Sequence, residues 1–228
     1  MGTLARFVPE QEDLLVSAAA NSGVTLSVQA ARRGFASAAD WWNHQVGRLS
    51  LEARTPEGRA DLYRAYDLRV LQAAGAKVAE ELAYRIFRDV MRQARGSRIA
   101  IFDDVLLALD ALRTRAVALG VISNMDRTLP QLLAQLGVDG YMSVVVASGE
   151  VGLAKPQPEI FRVALERTGV APEEALYVGD QYENDVLGAR QAGLTPILVD
   201  RYDLFPHLTD VTRVRSLEEM TTYLEEAS

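Results

Sequence analysis

A chain of 228 residues, 49% apolar and 24% charged, has the make-up of an ordinary folded protein, which excludes disordered and fibrous classes and allows one sizeable domain with an insertion. A net charge of -7 argues against nucleic acid as a partner, and the lack of cysteine excludes disulfides, thiolate zinc sites and a cysteine nucleophile together. No apolar run reaches the ~20 residues that a membrane span requires, and the first residues lack the charged and apolar regions of a signal, so no membrane partner is expected and the expected compartment is the cytoplasm.

Residues 8–93 carry a helical pattern and no convincing strand. Leu62, Tyr66 and Val70 recur every four residues, as do Val78, Leu82, Ile86 and Val90, each set giving one apolar stripe with charged residues on the other faces. Breaks are expected at Asn21-Ser22-Gly23, at Pro56-Glu57-Gly58 and at Gly75. The arginine-dense stretch from Arg85 to Arg98 alternates with apolar residues at helical spacing and reads as a solvated helix face. Trp41 and Trp42 point to different sides of a helix, so interhelix packing is the expected role.

From Ser97 onward short apolar runs alternate with helices. The runs Leu119-Gly120-Val121-Ile122, Ser143-Val144-Val145-Val146, Leu176-Tyr177-Val178 and Pro196-Ile197-Leu198-Val199 are apolar on both alternate faces, which implies strands of a parallel sheet buried on both sides. Asp103-Asp104 precede a helix carrying Leu106, Leu109 and Leu112, where acids favour the N-terminal dipole, and capping is the expected role. Strand and helix in alternation predict an α/β fold, a doubly wound parallel sheet formed by residues 1–9 and 97–228, with a helical domain of residues 10–96 inserted after the first loop. Ligands of such sheets bind beyond the carboxyl ends of the strands, so polar residues just after an apolar run are candidates.

Three segments meet that condition. Ser123-Asn124 follow Val121-Ile122, presenting a hydroxyl and an amide suited to an anionic oxygen, although a helix cap explains them as well. Lys155 sits between Ala154 and Pro156, where prolines at 156 and 158 restrict the backbone; it is either a fixed cation or a surface lysine before a helix. Val178-Gly179-Asp180 followed by Asn184-Asp185 place two carboxylates around one loop, which can face a single Mg²⁺ or form a turn and a cap.

Taken in order, these motifs resemble the haloacid dehalogenase superfamily. Its pattern is a strand ending in Asp with Gly-Thr downstream, a strand ending in Ser or Thr, a Lys before a Pro, and a strand ending in Gly-Asp with a second Asp a few residues on. The resemblance implies that Ser123 and Asn124 bind substrate oxygens, that Lys155 acts with Ser123 in catalysis by neutralising nucleophile and intermediate, and that Asp180 and Asp185 hold Mg²⁺ as cofactor. It also implies attack by an aspartate carboxylate, a covalent aspartyl intermediate and its hydrolysis by water. The helical insertion matches a family cap domain by position. The implied partner is a small, phosphorylated molecule, with neither nucleic acid nor membrane; no motif specifies the substrate or the oligomeric state.

The family's first loop reads Asp-x-x-Gly-Thr-Leu, and Gly2-Thr3-Leu4 align with its last three positions. The nucleophilic Asp would then lie two residues before Met1, and Met1 takes the position where phosphatases of the superfamily carry a second Asp. This reading expects a misassigned start, a missing strand between those ending at Ile122 and Val178, a slot about 10 Å wide, poor folding, and no hydrolytic activity from residues 1–228 alone. The acidic pair favours a metal-dependent phosphatase. The alternatives are a 2-haloacid dehalogenase and, in another class, a non-catalytic binding protein of the same fold.

Overall fold

Stripes of apolar residues at helical spacing need a partner surface, and in residues 7–99 they find it in one another. The computed structural model describes residues 2–48 and 53–226. Its chain divides into two units, Phe7–Ile99 and Met1–Arg6 with Ala100–Ser228.

The chain passes between the units within β1 (Ala5–Val8) and β2 (Arg98–Ile101), which pair as a two-stranded ribbon. The helical pattern expected from residue 8 onward does not include these strands. Four residues, with Arg6 inside β1 and Arg98 opening β2, are too few and too polar for a period of two to register.

The first unit is built from α1 (Gln11–Asn21), α2 (Val28–Arg48), α3 (Pro56–Ala73) and α4 (Glu80–Gln93). The start of α3 is fixed by Pro56 at its first turn and by the Thr55 hydroxyl, which accepts from the Gly58 N–H at 3.1 Å. On α4 the buried residues are Ala83, Ile86, Phe87 and Val90, the stripe that the four-residue recurrence predicts. They pack with Leu15, Ala18 and Ala31 and with Val70 and Leu71 of α3, and each large side chain buried there contributes about 1.5–3 kcal/mol. Trp42 sits against Tyr63 and Tyr66 with ring centroids 5.1 and 5.2 Å apart, while Trp41 lies beneath the Arg69 guanidinium at 4.5 Å.

In the second unit the order is α5 (Val105–Thr114), β3 (Gly120–Ser123), α6 (Leu129–Gln135), β4 (Val144–Ala147), α7 (Ser148–Val151), α8 (Pro158–Thr168) and β5 (Leu176–Gly179). A π-helical turn at Tyr182–Leu187, α9 (Gly188–Gln191), β6 (Thr195–Val199), β7 (Thr212–Val214) and α10 (Leu217–Glu226) follow. Strands β3 and β4 are parallel, with Ser123 opposite Ala147, and β5, β6 and β7 are parallel, with Gly179 opposite Leu198. Strand faces alternate between two apolar clusters. Val178, Ile197 and Val199 join Phe102, Val105 and Leu133, whereas Tyr177, Val144 and Val146 join Ile160, Phe161 and Leu165. Burial on both faces explains why these runs are continuously apolar. The strand β7 lacks that signature, because Thr212 and Arg213 are only partly buried.

The two parallel groups are separate sheets: among the described residues β3 and β5 share no backbone ladder. What links them is a side chain, the Tyr177 hydroxyl of β5 donating to the Ile122 carbonyl of β3 at 3.3 Å. Among the described residues no helix is long and apolar enough to cross a membrane.

Candidate active site

Strand β5 ends in Gly179, and the chain then presents Asp180, turns at Gln181 and brings Asp185 back within the π-helical turn. Asp185 is 2% exposed, so its charge needs partners. It has three: Lys155 Nζ donates to Oδ1 at 2.6 Å, the Gln181 N–H donates to Oδ2 at 2.9 Å, and the Tyr177 hydroxyl approaches Oδ1 at 3.4 Å. Lys155 Nζ donates a second bond to the Tyr177 hydroxyl at 3.0 Å. Burial works to lower the Lys155 ammonium, but the Tyr177 oxygen and the Asp185 carboxylate outweigh it and hold the group above the ordinary lysine range. Lys155 is therefore a fixed cation at neutral pH.

The Lys155 backbone is held as firmly as its side chain. The Asn124 amide accepts from the Lys155 N–H at 2.7 Å and donates to the Lys155 carbonyl at 2.9 Å, a two-point clamp from the residue after β3. Both ends of Asn124 are thus engaged by the main chain, which makes it a positioning residue for the lysine loop. Ser123, half-buried at the end of β3, makes no side-chain hydrogen bond among the described residues and keeps its hydroxyl free for a ligand.

The other carboxylate, Asp180, is approached from the chain start. The Thr3 hydroxyl donates to its Oδ1 at 2.5 Å. Burial pushes the Asp180 carboxyl up, and the nearby Asp185 charge pushes it further against the opposing effects of Thr3 and Lys155. Both acids lie against glycines because nothing larger fits. A Cβ on Gly2, whose φ is +97°, would fall 2.1 Å from Asp180 Oδ2, and one on Gly179 would fall 2.3 Å from the Asp185 carboxyl carbon. Met1 lies outside the described residues.

Two mutually repelling carboxylates, Asp185 buried and Asp180 partly so, are a donor set that a hard, oxygen-preferring cation relieves. Asn184, 2% exposed, adds a buried side-chain oxygen with no hydrogen-bond partner among the described residues. Among the described residues no three His, Cys, Asp or Glu side chains cluster, so any cation here would take its remaining ligands from water and substrate, the usual habit of Mg²⁺.

The geometry adds residues that the motifs do not mark. Tyr177 touches both members of the ion pair, and its signal is a lone hydroxyl in an otherwise aliphatic run. Arg201, just past β6, lies over the Phe102 ring at 3.9 Å from its centroid and donates to the Gly2 and Thr3 carbonyls at 3.2 and 2.8 Å. The same guanidinium holds Asp104 through bonds of 3.0 and 2.9 Å. Asp104 occupies the N-cap position of α5, as expected, but its side chain makes no cap bond there and instead accepts from the Leu217 N–H at 2.6 Å, at the start of α10. A buried guanidinium recruits a carboxylate more strongly than a helix end already open to water.

Comparison with known proteins gives a consistent picture. Over 177 residues, 70% of this chain and 68% of the other, the chain is 34% identical to the phosphoserine phosphatase of Thermus thermophilus. It is 39% identical to the glyceraldehyde 3-phosphate phosphatase of Methanopyrus kandleri over 44% of this chain and 43% of that one. In fold it is similar to a haloacid dehalogenase phosphatase from Thermococcus onnurineus, with a TM-score of 0.57 over 98% of this chain and 94% of the other at 21% identity. A profile described as haloacid dehalogenase-like hydrolase matches residues 2–193, and with that match over most of its length the chain belongs to the haloacid dehalogenase-like hydrolases.

Proposed function

We propose that this protein is a Mg²⁺-dependent phosphatase of small phosphoesters, working through an aspartyl intermediate, with the helical unit as its cap. The observation that carries the reading is the meeting, at the end of β5, of two hydrogen-bonded groups, Lys155 with Tyr177 and Asp185, and Asp180 with Thr3, near enough for the Asp185 charge to act on Asp180. Phosphatase activity in the similar relatives supports it.

Each side chain then has a task. The Ser123 hydroxyl donates to a phosphoryl oxygen, and the Lys155 ammonium, locked by Asp185 and Tyr177, sets a positive charge beside the transferred group. Asn124 keeps the lysine loop in register, and Arg201 with Asp104 keeps the Gly2-Thr3 carbonyls in place. Asp180 and Asp185 would hold Mg²⁺, which when bound supplies positive charge to the phosphoryl oxygens. Burial of Asp185 and Lys155 keeps water from screening these interactions.

In the family the carboxylate that attacks phosphorus precedes the position of Met1 by two residues, so the test uses a chain preceded by an apolar strand ending in Asp-x. With p-nitrophenyl phosphate and Mg²⁺, phosphate release is expected from this form, with loss of about 10³-fold or more when the added Asp is Asn. Halide release from chloroacetate without phosphate release would overturn the reading in favour of dehalogenation. Equal phosphate release from the Asp and Asn forms would overturn the aspartyl intermediate.

A further inference from the structure

Within the helical unit, the end of α1 and the flanks of α3 and α4 line an open groove of about 1060 Å³, roomy enough for a small molecule. Its contents are not those of a solvated helix face. The buried Phe87 forms part of the wall, and beside it Tyr63 and Met91 stand 48% and 67% exposed, large apolar groups left open to water inside the same concavity. Isolated exposed apolar residues are unremarkable, but two facing one groove leave apolar surface for a ligand to cover.

The charges around that wall do not cancel. Arg92 is neutralised by Asp89 at 2.6 Å, and Asp89 also accepts from Asn21 at 3.0 Å. Arg85, about two turns earlier on α4, has no carboxylate within ion-pair distance among the described residues, nor does Arg88, whose guanidinium instead lies 5.7 Å from the Tyr84 ring centroid. Asp67 on α3 also lines the groove, yet it pairs with neither arginine, and burial pushes its carboxyl up to about 7. An acid only about half ionised near neutral pH offsets the guanidinium groups only in part. The result is an apolar floor with surplus fixed cations at its edge.

We infer that this groove is a binding site for a small organic anion with a flat apolar body, its ring or chain against Tyr63, Phe87 and Met91 and its acidic group against Arg85 and Arg88. Guanidinium groups suit the task, since they pair with carboxylate, sulfonate or phosphate in two-point geometry and remain charged at any working pH. The site lies wholly within the helical unit and is independent of the phosphatase reading.

The test is a fluorescence titration of the whole chain with 8-anilinonaphthalene-1-sulfonate, which combines an aromatic body with one sulfonate. Saturable binding at one site per chain is expected. Arg85→Glu with Arg88→Glu should weaken it by about tenfold or more, as loss and reversal of two charge contacts would do. The charge-matched control Arg113→Glu with Arg162→Glu, at exposed positions of α5 and α8 in the other unit, should stay within about twofold. Tyr63→Ala should weaken binding without altering its salt dependence, and far-UV circular dichroism checks that each variant is folded. Failure of the wild type to saturate, equal affinity of the Arg85/Arg88 variant and the wild type, or equal loss in both charge-reversed pairs would overturn the inference.

Discussion

Asp185 with Lys155 in the α/β unit and Asp67 in the helical unit meet burial in opposite ways. In the first, Asp185 and Lys155 are buried together, with their bonds supplied by Tyr177, Gln181 and Asn124. In the second, Asp67 is partly buried without a hydrogen-bond or ion-pair partner among the described residues and responds by shifting its titration. A paired buried charge stays charged and can act on a substrate; an unpaired one yields to its surroundings. Lys155 is thus held as a fixed ion in the α/β unit, whereas Asp67 of the helical unit changes charge near neutral pH.

The largest expected effect comes from breaking the pair on one side only. Lys155→Met leaves the Asp185 carboxylate buried without its cation and should cost about 3–5 kcal/mol, measured by urea denaturation. A cost below about 1 kcal/mol would show the pair to be far better hydrated than its burial indicates.

Ile86→Ala removes a fully buried side chain from the helical core and should cost about 2–5 kcal/mol with no ionisable group involved. Its cost should not change between pH 5 and pH 8. A strongly pH-dependent cost would break the distinction between packing and charge in that unit.

Asp67→Asn sharpens the contrast. The carboxyl titrates at 3.8 when unfolded and near 7 when folded, so between those values the folded chain binds more protons and stability falls as pH rises, levelling off above about 7. Removing the charge should leave stability near pH 4 unchanged and raise it at pH 8 by on the order of 1–2 kcal/mol, after discounting for solvent screening. A gain at low pH instead would reverse the assigned direction.

The smallest effect is expected for Arg162→Ala. Its bond to Glu159 is 3.2 Å long, but both side chains are half exposed, and exposed pairs contribute about 0.5 kcal/mol or less. A larger loss would mean that surface pairs matter here as much as the buried one.

How much of this was legible in the sequence follows from the same physics. Ser123, Lys155, Asp180 and Asp185 could be picked out because a polar residue directly after a buried aliphatic run is conspicuous, and because their order repeats a known arrangement. Tyr177 was hidden inside such a run, where a tyrosine passes as core. Arg201 was hidden because its partners, Asp104 and the carbonyls of Gly2 and Thr3, lie some hundred to two hundred positions away in sequence, and no local pattern records them. Strands β1, β2 and β7 escaped because they are three or four residues long and carry arginines. The spacing of Arg85, Arg88 and Arg92 is the same whether that face of α4 meets water or a ligand, so the sequence alone does not mark the groove.

The claim that most of the account rests on is that Asp180 and Asp185 form a cation site. Electron paramagnetic resonance of Mn²⁺, titrated into the chain and competed with Mg²⁺, tests it without any substrate. The account predicts one bound Mn²⁺ per chain, displaced by Mg²⁺, with affinity reduced by about tenfold or more in Asp180→Asn. Absence of stoichiometric binding, or equal affinity in wild type and Asp180→Asn, would contradict it.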